Sequence, residues 1–265
     1  MSVFSSVPLR STITTRLRAA GCVFAEDEAR LIISTARTPV ELAAMVDRRV
    51  VGLPLEHVLG WAEFRGLRIS VDAGVFVPRR RTEFLAEQAT ALARPGAVVV
   101  DLCCGSGAVG AALLSSLDGI ELHAADIEPA AVRCARRNLT GANSRVYQGD
   151  LYEPLPGTLR GRVDVLVVNA PYVPTEEIRF LPPEARDHEP LVTLDGGADG
   201  LDVQRRVAAQ AAGWLVPGGS LLMETSERQA LRTAAAFAAG GLTTRVAACR
   251  ELDATVVIGT RPSDA

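Results

Sequence analysis

The sequence predicts an α/β fold built on a mostly parallel sheet, preceded by a small helical unit. Three observations carry this. From residue 97 onward, short apolar runs alternate with amphipathic segments of about ten residues, the pattern of a parallel sheet wrapped by helices. The first run leads into a glycine-rich stretch, Asp101-Leu102-Cys103-Cys104-Gly105-Ser106-Gly107, that opens a helix. The last two runs, 243–249 and 255–260, leave no room for a helix between them, so they form an antiparallel pair closing an otherwise parallel sheet.

Taken in order, residues 1–60 read as helical. Leu17, Ala20, Val23 and Phe24 stand near helical spacing, and Ala29, Leu31, Ile32 and Ile33 continue the pattern over 26–36. Thr38-Pro39-Val40-Glu41 is a start signal: threonine caps, proline fits the first helical position, and Glu41 can return a bond to the cap. Such short helices do not hold alone in water, so they pack together or on a larger body. Residues 61–77 alternate apolar and polar around Gly66, as a hairpin linking two bodies. Pro78 closes that run, and 82–93 reads as a helix. Strands are then expected at 97–100, 120–125, 145–148 and 163–168, with helices at 107–117 and 129–139. Residues 170–199, rich in proline and glycine, read as a long loop, and loops of that length are usually functional. A helix over 201–215, a strand over 220–224 and a helix over 227–239 lead to the terminal pair. The expected division is a helical unit at 1–60, a hairpin linker at 61–77 and a ligand-binding domain at 78–265.

Composition narrows the function. The 265 residues are 48% hydrophobic and 22% charged, enough apolar material for a core and too much for a disordered chain. The net charge of −3 argues against a general polyanion binder. All 28 basic residues are arginine, which reads as coding bias and lowers the information in any arginine cluster. Cys22, Cys103, Cys104, Cys134 and Cys249 have no metal-ligand spacing and fit free thiols in a reducing compartment. His57, His123 and His188 are scattered and form no ligand set. The first residues lack the apolar core of a secretory signal, and no apolar run reaches the roughly 18 residues of a membrane span. A cytoplasmic protein is expected.

The glycine stretch follows a strand and opens a helix, and Gly105, Gly107 and Gly110 satisfy G-x-G-x-x-G. Asp126 ends the next strand, 19 positions after Gly107. This arrangement places an adenosine ligand across the carboxyl edge of the sheet, with Asp126 on the ribose hydroxyls. Nucleotide cofactors and S-adenosylmethionine (SAM) share it, and a plain tight turn is the alternative. Asp101 weighs toward SAM, because a carboxylate there suits an ammonium group and repels a pyrophosphate. Asp150 is placed to accept from an adenine amino group, or is a solvated turn aspartate.

Asn169-Ala170-Pro171-Tyr172 ends the fourth strand at the same edge. Polar groups just after a buried strand are costly unless their hydrogen bonds are used. The chemistry they suit is methyl transfer to a planar nitrogen, whose delocalised lone pair makes it a poor nucleophile. The Asn169 side-chain oxygen and the Ala170 carbonyl can each accept one N–H of an NH₂ group, and Tyr172 can stack on the acceptor. Catalysis of this kind is positioning and electrostatics. An Asn-Pro-like turn is the bland alternative.

The tetrad resembles the Asn-Pro-Pro-Tyr signature of amino methyltransferases. With Leu55-Glu56-His57-Val58-Leu59-Gly60, Val77-Pro78-Arg79-Arg80-Arg81-Thr82-Glu83, Glu189-Pro190 and Leu194-Asp195-Gly196-Gly197-Ala198-Asp199-Gly200-Leu201, it resembles the HemK-type release-factor glutamine methyltransferases from about residue 17 to 260. The resemblance implies a class I SAM-dependent methyltransferase: a Rossmann-like, seven-stranded, mostly parallel sheet with an antiparallel last strand, behind a small helical substrate-recognition domain. It implies methylation of the glutamine side-chain nitrogen in the Gly-Gly-Gln loop of peptide chain release factors. Cys103 to Gly107 would contact SAM, and its product S-adenosylhomocysteine, with Asp101 beside them. Asp126 and Ile127 would hold the ribose side, Asp150 and Leu151 the adenine side, and Asn169, assisted by Ala170, Pro171 and Tyr172, the acceptor. No metal is implied. Expected partners are a release factor as substrate, with no stable nucleic acid, no membrane and a monomeric state. The chain is a divergent member: Ala170 stands where the family has its first proline, which frees φ and adds an N–H. Arg80 likewise stands where the family's second motif has proline, and Cys103-Cys104 bulk up a loop that often begins with glycine. Three competing readings remain: an amino methyltransferase acting on a nucleic-acid base, which would need a basic groove, a SAM-binding paralogue with little turnover, and an oxidoreductase.

Overall fold

The computed structural model describes residues 7–263. The expected helical character of residues 1–6 and the last two residues of the 78–265 domain lie outside the described residues. Four helices come first: α1 (Val7–Ala19), α2 (Ala25–Thr35), α3 (Pro39–Val50) and α4 (Leu55–Leu59). They share a core of their own around Leu17, Ala29, Ile32, Met45 and Val58. Val23 and Phe24, grouped with that core by spacing, are instead exposed, because α1 has ended and the chain turns there. The cap of α3 forms as expected, with Thr38 accepting from Glu41 N at 3.1 Å. The return bond from Glu41 goes one residue further back, to Arg37 N at 2.8 Å.

Strands β1 (Trp61–Phe64) and β2 (Leu67–Ser70) form the antiparallel hairpin. Its two turn residues, Arg65 at φ 49° and Gly66 at φ 75°, are both left-handed, the geometry that matches strand twist. Helix α5 (Thr82–Leu92) precedes the main sheet. The sheet contains β3 (Val98–Leu102), β4 (Glu121–Asp126), β5 (Ser144–Gln148), β6 (Val163–Val168), β7 (Leu215–Thr225), β8 (Thr243–Cys249) and β9 (Ala254–Thr260). Its order is β5-β4-β3-β6-β7-β9-β8, and β9 runs antiparallel to both neighbours. Helices α6 (Ala108–Ser116), α7 (Pro129–Asn138), α8 (Pro183–His188), α9 (Asp202–Ala211) and α10 (Ala230–Ala239) complete the chain.

Both sheet faces are covered, which is why the central strands read as continuous apolar runs. Val99, Val165, Val167 and Leu222 pack toward α5, α6 and α7. Their alternates Val98, Val100, Leu166, Val168 and Leu221 pack toward α9, α10 and the buried Trp214. The hairpin docks on the first of these layers through Ala62, Phe64 and Ile69.

Three features differ from expectation. Strand β7 begins at Leu215, five residues before the expected start: Leu215 pairs with Val163 and Ser220 with Val165 across an irregularity that absorbs Pro217 and Gly218. The expected long loop is partly ordered, with 3₁₀ turns at Thr175–Phe180 and Leu191–Thr193 on either side of α8. The helix expected over 201–215 stops at Ala211, ahead of Gly213.

The topology fixes where a ligand sits. From β3 the sheet extends to β4 on one side and to β6 on the other, so the crevice above their carboxyl ends is a switch point. Leu102 pairs with Ala125 and with Val168, and Val168 pairs with Met223. The residues just beyond these tips therefore meet along one edge.

Candidate active site

A cavity of about 640 Å³ opens along that edge. All the residues expected to contact the cofactor or the acceptor line it except Gly107. Gly107 has φ 79°, and a Cβ there would press on Leu139 and Ala135 at 3.0–3.3 Å. The glycine allows the close approach of α6 to α7, outside the cavity lining. Gly110 is a second packing glycine, whose Cβ would meet Leu122 at 2.9 Å.

The glycine loop is held from both sides. Cys104 N donates to Ala125 O at 3.1 Å, and Gly105 N donates to Asp126 Oδ2 at 2.8 Å. The other Asp126 oxygen accepts from Glu128 N at 2.9 Å. Cys103 occupies a left-handed φ of 54° and Leu151 one of 50°, both beside the cavity. Such conformations in non-glycine residues cluster at functional sites. At Gly105, φ is 55° and a Cβ would meet nothing within 4 Å, so bare backbone faces open space.

The acids at this end decide what ligand fits. Asp101 is buried and accepts from Gly110 N at 3.1 Å. Burial pushes its carboxyl up to about 7; the Gly110 N–H opposes this and the neighbouring Asp126 adds to it. Burial likewise raises Asp126. A pyrophosphate would be laid against Asp101, whereas an adenosyl ligand carrying an ammonium group would relieve it. SAM fits the donor set, and the dinucleotide of the oxidoreductase reading does not. Asp150 lines the cavity but is not simply solvated: its Oδ2 accepts from Arg206 at 2.6 Å. Ile127 is half exposed at the rim.

At the other end, Asn169 donates from Nδ2 to Thr82 Oγ1 at 3.3 Å, which leaves its carbonyl oxygen available. Among the described residues no hydrogen bond uses the Ala170 carbonyl. Tyr172 donates its hydroxyl to Glu224 Oε1 at 3.2 Å, and the Arg81 guanidinium lies 5.8 Å from its ring centre. Burial and the Glu224 charge push the Tyr172 hydroxyl well above the usual phenol range, so it stays protonated.

Several residues of this wall go beyond the expected site residues, among them Arg79, Arg81 and Thr82 of the 77–83 motif. Thr82 and Glu224 are both buried and sit behind Asn169 and Tyr172. Arg81 donates from Nε to Glu224 at 3.2 Å. Glu189, of the Glu-Pro pair at 189–190, accepts from Val77 N at 3.1 Å and from Arg79 at 2.6 Å, tying the long loop to the segment before α5. Asn138, at the end of α7, bonds Ser70 N and O at 3.0 and 2.9 Å and Ser106 O at 2.8 Å, joining the hairpin to the glycine loop. The 77–83 motif and the Glu-Pro pair at 189–190 gave a sequence signal; Glu224 and Asn138 gave none. Among the described residues no group of three or more His, Cys, Asp or Glu could hold a metal, and no helix is long and apolar enough to cross a membrane.

The chain is similar to known methyltransferases. The family model described as methyltransferase small domain matches residues 66–180. A release factor glutamine methyltransferase of Mycolicibacterium smegmatis is 40% identical over 231 residues, covering 85% of this chain and 82% of that protein. A 4-amino-L-phenylalanine/4-methylamino-L-phenylalanine methyltransferase of Streptomyces pristinaespiralis is 37% identical over 203 residues, covering 74% of this chain and 69% of that protein. A crystallised methyltransferase of Pyrococcus furiosus shares the fold, with a TM-score of 0.57 at 16% identity over 75% of this chain and 90% of that one.

Proposed function

The chain belongs to the release factor glutamine methyltransferase family, and from that premise we propose that it methylates the side-chain amide nitrogen of the Gly-Gly-Gln glutamine in a peptide chain release factor. It is a SAM-dependent methyltransferase. Bound SAM supplies an electrophilic methyl group on a sulfonium. In this reading Asp101, Asp126, Asp150 and the loop from Cys103 to Ser106 bind the cofactor, with Ile127 and Leu151 as apolar walls. Asn169 and Ala170 each accept one N–H of the incoming NH₂ through a carbonyl oxygen, which orients the nitrogen and favours localisation of its lone pair. Pro171 and Tyr172 form the wall beside it. The helical unit at 7–59 serves as the substrate-recognition domain.

The observation that carries this is the pair of uncommitted carbonyl oxygens, Asn169 Oδ1 and Ala170 O, at the strand tip beside the glycine loop. Incubation with methyl-labelled SAM and a release factor is expected to label the Gly-Gly-Gln glutamine. Absence of label with a working control removes the substrate. Asn169→Ala is expected to lower kcat about 100-fold or more while SAM affinity changes little; full activity in that variant removes the mechanism. A second acceptor, an arylamine such as 4-amino-L-phenylalanine, is favoured by the 37% identical relative that acts on it. It belongs in the same assay as a parallel arm.

A further inference from the structure

Three arginines stand in a row at 79–81, just ahead of α5, and all three line the cavity. The outer two are committed to buried acids. Arg79 donates to Glu189 Oε2 at 2.6 Å and lies over the Phe76 ring, and Arg81 donates from Nε to Glu224 Oε1 at 3.2 Å. The fourth arginine of the lining, Arg206, is held by Asp150 at 2.6 Å. Arg80 differs from all of these. Its carbonyl accepts from Glu83 N at 3.1 Å, which fixes its backbone in the turn that opens α5. Among the described residues its guanidinium enters no hydrogen bond and no ion pair. It is exposed at the cavity wall. The family's second motif has proline here, so the turn itself does not call for a cation. Coding bias explains why the cation is arginine and not lysine; it does not explain a cation at this wall.

The charge balance of the cavity says what that cation would meet. Asp101, Asp126 and Glu128 line the cavity and have no cationic partner among the described residues. Counter-charges for positive groups are therefore in place. Besides its sulfonium and its ammonium, SAM carries one negative group, the carboxylate of its amino-acid arm. Such a group, brought against these acids with no cation of its own, is strongly disfavoured. Of the four arginines in the lining, Arg80 alone is free to meet it, and a planar guanidinium matches a carboxylate with two parallel bonds. The position along the chain agrees. Arg80 stands two residues before Thr82, whose Oγ1 accepts from Asn169 Nδ2 at 3.3 Å. The amino-acid arm leaves the same sulfur that presents the methyl group to the acceptor, so the arm and the Asn169 wall belong to one end of the cavity.

We propose that Arg80 binds the carboxylate of the cofactor's amino-acid arm, while the carboxylates at the sheet edge take the ammonium. The proposal rests on SAM dependence and is independent of which amine receives the methyl group. It gives the arm a grip at each of its two charges, and it assigns one of them to a residue in which this chain departs from its family. Arg79 and Arg81 hold the wall together; Arg80 is the member of the row that faces the ligand.

The test uses the full chain as wild type, Arg80→Gln, Arg80→Pro and Arg80→Lys, with binding read by calorimetry. The ligands are S-adenosylhomocysteine and its decarboxylated form, which keeps the ammonium and lacks only the carboxylate. Arg80→Gln and Arg80→Pro are each expected to bind S-adenosylhomocysteine about tenfold more weakly than wild type, and the decarboxylated ligand within about twofold of it. Arg80→Lys should recover part of the loss, because it keeps the charge and gives up the fork. Thermal unfolding without ligand should be unchanged in Arg80→Gln, because no protein contact is removed. An equal loss for both ligands, or no loss for either, overturns the proposal. A raised KM for a release factor with unchanged S-adenosylhomocysteine affinity also overturns it, and places Arg80 against the protein substrate. If the wild-type chain binds neither ligand, the cofactor reading falls and the proposal with it; if it binds both and Arg80→Gln binds them equally well, only the role of Arg80 falls.

Discussion

Asp101 is where a single side chain ties stability to ligand binding. Its carboxyl is raised to about 7 by burial, whereas in the unfolded chain it ionises near pH 4. Between those values the folded state holds a proton that the unfolded state has released, so stability falls as pH rises through that window. The penalty is complete above pH 7 and absent below pH 4. Asp101→Asn should therefore be more stable than wild type at pH 8, by about 1–3 kcal/mol in denaturant titrations, and equal to it at pH 4. The same variant should bind SAM weakly with little pH dependence, while wild-type affinity strengthens from pH 6 to 7.5 as the carboxylate forms; calorimetry reads both. Cys103 carries a different local cost, a left-handed φ of 54° on a residue with a Cβ. Truncation to alanine keeps that cost and truncation to glycine removes it. Cys103→Gly should exceed Cys103→Ala in stability by about 1 kcal/mol.

At the scale of elements, what matters is how the hairpin, the glycine loop and the acceptor wall are held in register. Asn138 does this for the first two by imitating a strand: one amide bonds both backbone groups of Ser70 and the carbonyl of Ser106. Asn138→Ala should lower stability by about 1–3 kcal/mol in denaturant titrations, because Ser70 N and Ser106 O lose their side-chain partner and Ser70 O keeps only Cys134 Sγ. It should also weaken SAM binding, because Ser106 is part of the loop. None of this could be read from the chain. Asn138 looks like an ordinary helix end, and its partner Ser70 lies 68 residues away. The tetrad and the glycine loop were legible for the opposite reason. Each is a contiguous run whose meaning depends on following a strand, and the strands announce themselves by apolar content. The early start of β7 was hidden because Pro217 and Gly218 carry turn signals, and only pairing with β6 absorbs them.

At the scale of the whole molecule, the helical unit reaches the cavity through one buried arginine. Arg49, on α3, donates to both oxygens of Glu28 at 2.6 and 3.1 Å and pairs with Glu184 of α8 at 2.7 Å. Glu184 lines the cavity, so the unit expected to meet the protein substrate is linked to a cavity wall. Arg49→Met should cost about 3–5 kcal/mol on thermal or chemical unfolding, because it strands the buried Glu28 carboxylate. Glu184→Gln should change stability by less than about 1 kcal/mol, because Glu184 is half exposed and the Glu28 pair survives. By itself the sequence determined the α/β class, the helical preface, the antiparallel closing strand and the two motifs at the sheet edge, because apolar periodicity and contiguous motifs are local properties of a chain. Only the tertiary structure decided that Gly107 packs against α7, that Asp150 is paired with Arg206, and that Thr82 and Glu224 flank Asn169. Burial and hydrogen-bond polarity arise from residues brought together across the sheet, and no single stretch of sequence contains both partners.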